Sequence, residues 1–295
     1  MITPSYRLGL FLVFGAGLFW STQGLAIRLM SEADAWQILF YRSLALTLFL
    51  AAVSLVQYGR GAFKATLHVG VPGIMGAICL MVAYAFGILA MQMTTIADAV
   101  LLFATAPFFA AVLGWFALSE RVAPSTWGAI IIALVGIVIM QGGAIATGNA
   151  IGNLFAVGSA MFFALFTLVL RMRKDGDMLP TVVLSGIFAS VVCFVVANSY
   201  GSGLRIPQND LIIALLMGVF QTGAGLILYT IGARSVPAVQ LALLPLIEVI
   251  LSPLWVALIV GEQPTKLILL GGLFVGAAIV ADALMTARNQ RAQTL

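Results

Sequence analysis

The chain has 295 residues, of which 62% are hydrophobic and only 8% are charged, and its formal net charge is +4. A soluble domain carries about 25% charged residues, so this composition excludes a soluble globular protein. It also excludes a membrane β-barrel, whose strands are short alternating segments and not long unbroken apolar runs. The composition predicts an all-α polytopic membrane protein.

The basic residues and the cysteines narrow the possible partners. The basic residues lie singly or in small groups between apolar stretches, as membrane topology places them, so we expect no nucleic-acid partner. Cys79 and Cys193 each lie within an apolar stretch, and their number and spacing fit neither a disulfide framework nor a metal site. His68, the only histidine, lies in a loop. The sequence therefore predicts no metal and no cofactor.

Charged and turn-forming residues divide the chain into ten apolar spans, each near the length of about 20 residues that crosses the hydrocarbon core. The uncharged run from Leu8 to Ile27 is too long for the core of a cleaved signal peptide, so we expect it to be the first span. The glycine-rich segment 141–153 separates spans five and six. The predicted spans are 8–28, 36–57, 71–92, 97–118, 125–142, 151–171, 179–199, 210–232, 238–260 and 266–286.

The distribution of lysine and arginine orients these spans. With the N-terminus in the cytoplasm, the inner loops hold ten basic residues and the outer loops hold only Arg28, Arg205 and Lys266. This is a strong positive-inside bias. An even number of spans then places both termini in the cytoplasm, and we expect a multi-pass protein of the bacterial inner membrane.

The two halves of the chain resemble each other in sequence. GAGLFWSTQGLAIR at 15–28 aligns with GSAMFFALFTLVLR at 158–171, so that Arg28 meets Arg171, and further along Glu120 aligns with Glu262. These two distant anchors require the same offset to within one residue, which favours duplication over a chance match of apolar segments. Because each half has five spans, the second repeat enters the membrane inverted, as in secondary transporters that use alternating access. The predicted repeats are residues 1–145 and 146–295.

Several segments carry a resemblance to a known family. They are 107–139 and 247–280, the S-E and G-E turns that follow spans four and nine, and Arg42 in the sequence FYR. With these segments the chain resembles the EamA type of the drug/metabolite transporter superfamily, and within it the YddG-like branch of exporters. The resemblance implies ten helices in a five-plus-five arrangement. It also implies export of aromatic or other hydrophobic amino acids and amphiphilic drugs.

Glu248 lies near the middle of span nine, between Pro245 and Pro253. Each proline removes a backbone donor and crowds the preceding turn, so this helix should be bent or locally opened. An ionisable group in hydrocarbon costs roughly 2.5–3.5 kcal/mol on insertion scales, so it usually faces a cavity or a partner. Three roles stay open for Glu248: proton coupling, a structural hydrogen bond to a neighbouring helix, and direct contact with substrate.

Arg42 and Asp98 are the other charged candidates for coupling or gating. Arg42 lies about 9 Å below the outer end of span two, where it can bind a substrate carboxylate, act as a gate or extend outward to Glu32 or Asp34. Asp98 stands at the start of span four, where an acid can cap the helix or form an outer gate with Arg42.

Aromatic and amide side chains within the spans are candidates for a substrate cavity. Aromatic faces suit the body of a flat organic solute, and amides suit its orientation, although helix packing or lipid contact is an alternative for each residue. The candidates are Trp20, Gln23, Tyr84, Phe103, Phe163, Gln221, Tyr229 and Gln240.

The sequence thus predicts a secondary transporter that exports small organic metabolites as a monomer or weak dimer in the lipid bilayer. Its motifs include none for ATP binding, so a solute or proton gradient or passive flow must drive transport. The alternatives are an importer or uniporter of another metabolite class, such as a sugar or nucleoside, then a channel or receptor, and an intramembrane enzyme. The last is disfavoured because no H-E-x-x-H motif occurs.

The ten-span topology predicts that single cysteines at positions 148 and 203 both face the outside of the cell. A membrane-impermeant thiol reagent should label both in intact cells that express a variant without Cys79 and Cys193. Labelling of either position only after permeabilisation would contradict the ten-span topology.

Overall fold

The computed structural model describes residues 4–61, 66, 68–94, 99, 102–119, 122–140, 149–173, 178–199, 203–261 and 265–293. Within these ranges all regular secondary structure is helical. We number its ten main segments in chain order. They are α1 (Tyr6–Arg28), α2 (Ala35–Tyr58), α3 (Gly70–Met93), α4 (Ala106–Leu118), α5 (Pro124–Met140), α6 (Ala150–Met172), α7 (Leu179–Ser199), α8 (Gln208–Gly232), α9 (Ala238–Val260) and α10 (Lys266–Gln293).

Eight of these segments contain helix that is long and apolar enough to cross a membrane, whereas α4 and α5 are shorter apolar helices of 13 and 17 residues. The polytopic all-helical class is therefore confirmed. Span four was expected to begin at residue 97, which lies outside the described residues; Ala99, Leu102 and Phe103 are helical, Ala104 and Thr105 form a turn, and the longer helix begins at Ala106.

Three of the long helices are interrupted in their middle. In α1 the break falls at Ser21 and Thr22, whose hydroxyls donate to the carbonyls of Leu18 and Phe19. Such back-bonding offers the chain an alternative to the helical ladder. The central part of α8, Met217–Ala224, is a π-helix.

The interruption of α9 is a 3₁₀ turn at Leu244–Leu246 that contains Pro245. The expected opening of this helix therefore occurs at Pro245, whose missing N–H cannot continue the α-helical ladder. Pro253 lies inside the unbroken helix Ile247–Val260. Only one of the two prolines thus interrupts the helix.

Helices from the two halves of the chain pack against one another. The main pairings are α1 with α8 and α9, α2 with α7 and α8, α3 with α6 and α7, α4 with α6 and α9, and α5 with α10. Small residues permit the closest approaches, as where a Cβ at Gly136 of α5 would lie 2.7 Å from the carbonyl oxygen of Gly271 in α10. The two halves are therefore interleaved and do not form separate bundles.

Large apolar side chains cover the outer surface of the bundle. The exposed examples with the largest accessible fractions are Phe11, Val56, Phe116, Leu258 and Leu273. A soluble monomer rarely exposes apolar surface of this extent, whereas hydrocarbon solvates it. The outer face therefore suits a lipid environment, as the composition predicts.

Asp210, at the start of α8, ties the loop between α1 and α2 to the second half of the chain. Its carboxylate accepts hydrogen bonds from the backbone N–H groups of Ser31, Glu32 and Ala33 at 2.9–3.2 Å, and its side chain is completely buried. A second tie joins the loop after α6 to the start of α3, where the Arg173 guanidinium donates to the carbonyl of Val69.

We predict that Asp210→Asn lowers the apparent melting temperature of the purified protein by about 5 °C, because an amide nitrogen would face the loop N–H groups. Fluorescence-detected thermal unfolding in detergent measures this. Glu32→Gln is the matched control. It neutralises an exposed acid of the same loop, but only the backbone N–H of Glu32 bonds to Asp210, so the tie should remain. An Asp210→Asn protein as stable as this control would contradict the assignment.

Candidate functional site

Three of the predicted aromatic residues come together between α1, α6 and α8. The ring centroids of Trp20 and Phe163 lie 5.8 Å apart, those of Trp20 and Tyr229 lie 5.2 Å apart, and those of Phe163 and Tyr229 lie 5.6 Å apart. Aromatic pairs at these distances attract one another beyond the burial of their area. We call Trp20, Phe163 and Tyr229 the aromatic cluster.

Hydrogen bonds and close packing hold the aromatic cluster in place. Tyr229 is completely buried, and its hydroxyl lies 2.7 Å from the Thr167 hydroxyl, which in turn donates to the Phe163 carbonyl. The indole nitrogen of Trp20 lies against Gly225, where a Cβ would collide with it. Tyr229 is therefore a fixed support, and the half-buried Trp20 and Phe163 are the members with accessible ring surface.

Two glutamines extend the aromatic cluster along α1 and α8. The Gln221 Nε2 donates to the Gln23 Oε1 at 3.1 Å, and the Thr222 hydroxyl donates to the Gln221 Oε1 at 2.7 Å. Gln221 lies within the π-helical part of α8. The sequence predicted both glutamines as site residues, and the structure pairs them with each other beside the aromatic rings.

Separately, Arg42 and Tyr84 form a cation–π pair between α2, α3 and α7. The guanidinium carbon lies 5.0 Å from the centroid of the Tyr84 ring, and Arg42 is only 5% exposed. Its Nε is buried and has no hydrogen-bond partner among the described residues. Arg42 therefore does not extend outward to Glu32 or Asp34, which was one of the three alternatives for it.

Glu248 lies in the first turn of the second half of α9, directly after the 3₁₀ break. The Ile247 N–H just before it donates to the carbonyls of Leu244 and Pro245, so hydrogen bonding continues through the 3₁₀ turn into this helix. No hydrogen bond or ion pair joins its carboxyl group to the part of the chain that is described, so the structural hydrogen bond considered for it is not found there.

The face of α9 that carries Glu248 is directed toward α1. Glu248, Ser252 and Trp255 follow at i, i+4 and i+7, so they share one face of the helix. The Trp255 indole donates to the Ser21 hydroxyl at 2.8 Å, and a Cβ at Gly24 would collide with Ser252. The break in α1 and the acid of α9 are thereby held in one region. The sequence analysis did not find Trp255 or Thr167, because single Trp and Thr residues are common in apolar helices.

Gln240 lies in a different place from the other amides. Its Oε1 accepts from the Tyr6 hydroxyl at 2.8 Å, and its Nε2 donates to the Asp282 Oδ2 at 2.7 Å. Asp282 is 2% exposed, and its Oδ1 has no partner in the described part of the chain. The sequence analysis missed Asp282, although an acid inside the otherwise apolar span ten was a usable signal.

The two remaining candidates are Phe103 and Asp98. Phe103 packs beside Gly87 of α3 and near the buried Ala90, Ala99 and Ala156, apart from the aromatic cluster. Asp98 lies outside the described residues, so its predicted place at a gate stays a prediction. Within the described ranges no group of three His, Cys, Asp or Glu residues could hold a metal ion.

We predict that Gly225→Ala destabilises the protein by about 1–3 kcal/mol, because the new methyl group must displace the Trp20 indole from the aromatic cluster. Thermal unfolding and the tryptophan emission spectrum measure the loss and the displacement. Gly128→Ala is the matched control, because a Cβ there meets nothing within 4 Å and alanine favours the helix. Equal stability of the two variants would contradict close packing at Gly225.

Comparison with known proteins shows which family has this sequence pattern. The chain matches the EamA-like transporter family over residues 7–141 and 150–281. It is 23% identical to an uncharacterized transporter of Clostridium kluyveri, covering 98% of this chain and 96% of that protein. It is 22% identical to solute carrier family 35 member G1 of Homo sapiens, covering 95% of this chain and 80% of that protein.

A solved crystal structure has the same fold, with a TM-score of 0.81 and 18% identity over 95% of this chain and 99% of that one. The family match covers most of the chain, in two blocks that fall on either side of segment 142–149. The family and both relatives are transporters and not enzymes. The chain is therefore a multi-pass membrane transporter, and it belongs to the EamA-like transporter family.

Proposed function

We propose that this protein is a secondary transporter of the bacterial inner membrane that exports small organic metabolites by alternating access. Ten membrane-spanning helices form two inverted repeats, residues 1–145 and 146–295, with both termini in the cytoplasm. Aromatic or other hydrophobic amino acids are the proposed substrates, together with amphiphilic drugs. The substrate cavity lies between the repeats.

The observation that carries this proposal is the symmetry of the helix pairings. Exchanging α1–α5 with α6–α10 in order turns the pairing of α1 with α8 into that of α6 with α3. The pairings of α2 with α7, α4 with α9, and α5 with α10 map onto themselves. Two inverted repeats that share one interface have this pattern, and they can rock against each other around a central site.

Local features of the two halves support the same repeat. The segment after the interruption begins at Ala106 in α4 and at Ile247 in α9, and these starts agree to one residue under the offset that aligns Glu120 with Glu262. Both helices end at a residue in the left-handed conformation, Ser119 with φ 55° and Gly261 with φ 83°, which the same offset superimposes. An interrupted helix in corresponding positions of both halves is typical of transporter binding sites.

The two loop ties also correspond in this alignment. Ser31, whose backbone N–H donates to the Asp210 carboxylate, aligns with Arg173, which donates to the Val69 carbonyl. One tie follows the first helix of the first repeat, and the other follows the first helix of the second repeat. In an inverted arrangement the two ties lie on opposite sides of the membrane.

The chemistry of the proposed cavity supports an aromatic, amphiphilic solute. Trp20 and Phe163 offer ring faces, Gln23 and Gln221 offer amide groups, and Tyr84 leads to the Arg42 guanidinium. Such a site combines apolar walls with a few polar groups that fix orientation. A sugar or nucleoside importer or uniporter would use the amide pair for hydroxyl groups, and competition in counterflow distinguishes these substrates.

The packing of α10 supports a monomer. Gly272 and Gly276, which form a G-x-x-x-G pattern, lie against Ile250 of α9, with Cβ positions 3.5 and 3.7 Å from its side chain. Packing within one chain therefore uses the glycine face that could otherwise join two copies. We propose a monomer or, at most, a weak dimer.

Glu248 is the proposed coupling residue, because it is an intramembrane acid at an interrupted helix and has no partner among the described residues. We predict that Glu248→Gln abolishes the dependence of transport on a pH gradient but preserves counterflow of phenylalanine in proteoliposomes. A glutamine has nearly the same shape but takes up no proton in this pH range. Glu32→Gln, in an exposed loop, is the control that should retain the dependence.

An unchanged pH-driven flux in the Glu248→Gln protein would remove proton coupling at this residue. Loss of counterflow together with the pH dependence would instead assign Glu248 to substrate binding. Currents through single open pores in the wild-type protein would contradict a carrier and support a channel.

A further inference from the structure

Arg42 carries a charge that the described protein does not compensate. Its guanidinium has five N–H donors, but its only described polar or aromatic contact is the face of the Tyr84 ring. The Tyr84 ring in turn packs against a cluster of the buried residues Leu39, Ile88 and Cys193. The Arg42 Nε is buried without a hydrogen bond, and the described part of the chain holds no counterion for the guanidinium. Burying a charge in this way is destabilising, so a purely structural role does not explain it.

The intramembrane acids do not supply the missing counterion. The Asp210 carboxylate is occupied by the loop of Ser31, Glu32 and Ala33, and Asp282 is bonded to Gln240. Glu248 is on α9, outside the group of helices that surrounds Arg42, and forms no ion pair with it. Among the described residues, therefore, no acid supplies the negative charge that would complete the Arg42 site.

The proposed repeat indicates that the packing between α2 and α7 does not require an arginine. Ser185 of α7 takes the place of Arg42 under the offset that aligns Arg28 with Arg171, and it is also completely buried. Its hydroxyl donates to the Val182 carbonyl of its own helix at 2.7 Å, so it is satisfied without any partner from another helix. A small neutral residue thus fills the corresponding place, and the charge of Arg42 has another purpose.

The contact of Arg42 with Tyr84 leaves the guanidinium N–H donors available to an anion. The guanidinium carbon lies over the ring at 5.0 Å from its centroid, and the Nε has no acceptor among the described residues. The Tyr84 hydroxyl forms no hydrogen bond with the described residues either, so it is a second donor. A planar carboxylate matches such a fork with two parallel hydrogen bonds.

The cation–π pair of Arg42 and Tyr84 lies next to α8, which also carries residues of the candidate site. The Arg42 carbonyl oxygen lies against Gly218 of α8, which precedes Gln221 by three residues, about one helical turn. The amide pair and the aromatic cluster therefore lie on helices next to the one that carries Arg42. A solute with an acidic group and an aromatic body can bind Arg42 through the acid and the aromatic cluster through the ring.

We propose that Arg42, with the Tyr84 hydroxyl, is the subsite that binds the carboxylate of the transported solute. This inference rests on the proposed function and sharpens it, because it makes a carboxylate the recognised group. Amines that lack a carboxylate are then poor ligands, even where their aromatic body is identical.

The test uses the purified full-length protein and three ligands with the same phenyl ring. L-phenylalanine carries both charged groups, 3-phenylpropionate carries only the carboxylate, and 2-phenylethylamine carries only the ammonium group. Ligand titrations followed by thermal stabilisation give each affinity. We expect both carboxylates to bind wild type at least about tenfold more tightly than the amine.

Variants at the subsite separate recognition from folding. Arg42→Gln should remove the preference for carboxylates without weakening the amine, and Arg42→Lys should retain only part of it, because an ammonium group lacks the planar fork. Tyr84→Phe keeps the ring and should lower carboxylate affinity several-fold. If Arg42→Gln fails to fold, the wild-type ratio and Tyr84→Phe decide.

A wild-type protein without preference for the carboxylates, whether it binds all three ligands equally or none, overturns the inference. So does an equal loss for all three in Arg42→Gln, which would indicate a structural role. Failure of the proposed function is distinguishable: a protein that prefers carboxylates through Arg42 but shows no phenylalanine counterflow retains the subsite and loses the proposed substrate.

Discussion

The candidate site depends on one constraint of the bilayer, which is that every backbone polar group in hydrocarbon must be bonded within the protein. Continuous helices meet this requirement, and interrupted ones meet it only where side chains or neighbouring helices compensate. Here α1 is interrupted at Ser21, where the Ser21 hydroxyl bonds back to its own helix and accepts from Trp255. The interruption of α9 at Pro245 lies against Gly17 of α1. The two interrupted helices, α1 and α9, are thus in contact with each other near their interruptions.

These interruptions determine which chemistry the helices present. The 3₁₀ turn in α9 places Glu248 in the first turn of the α-helical part that follows it. The π-helical turns of α8 carry Gln221 toward Gln23, and Gly225, just after them, admits the Trp20 indole. Regular helices in the same places would present these side chains in other directions. Local irregularity and the polar groups of the site therefore have a common origin.

The scaffold is similar in its two halves, but the charges are not. In the alignment of the proposed repeats, Ala106 stands where the second half has Glu248, and Ser185 stands where the first half has Arg42. Each half thus contributes one charge that has no partner in the described part of the chain, on a helix whose counterpart is neutral there. Residues present in one half alone are not explained by helix pairings that both halves make. Their cost in hydrocarbon makes a role in binding or coupling the economical explanation.

Much of the fold could be predicted from the sequence. The low charge content indicated the class, and charged or turn residues bounded the helices to within a few residues for nine of the ten spans. Pro245 and Glu248 marked the interrupted helix because a missing donor and an intramembrane acid are each costly. The turn at Ala104 and Thr105 within span four was not predicted, because an apolar run does not reveal such a turn.

The composition of the site was only partly predictable. Trp20, Gln23, Phe163 and Gln221 do lie together, but Gln240 instead bonds to Tyr6 and Asp282. Tyr229 is a buried support bonded to Thr167. Such distinctions depend on which way each helix is rotated about its axis. Apolar residues cover nearly every face of these helices, so hydropathy does not encode that rotation.

The sequence by itself determined that this chain crosses a membrane many times and which few residues are chemically unusual there; that its halves are related stays a prediction. Tertiary structure decided the partners of these unusual residues. It placed Arg42 on Tyr84 and not at the outer surface, left Glu248 without a partner among the described residues, and paired Gln23 with Gln221. The physical reason is that helix length and membrane cost are properties of one segment. Contact between polar side chains depends instead on close packing among several helices at small residues such as Gly218 and Gly225.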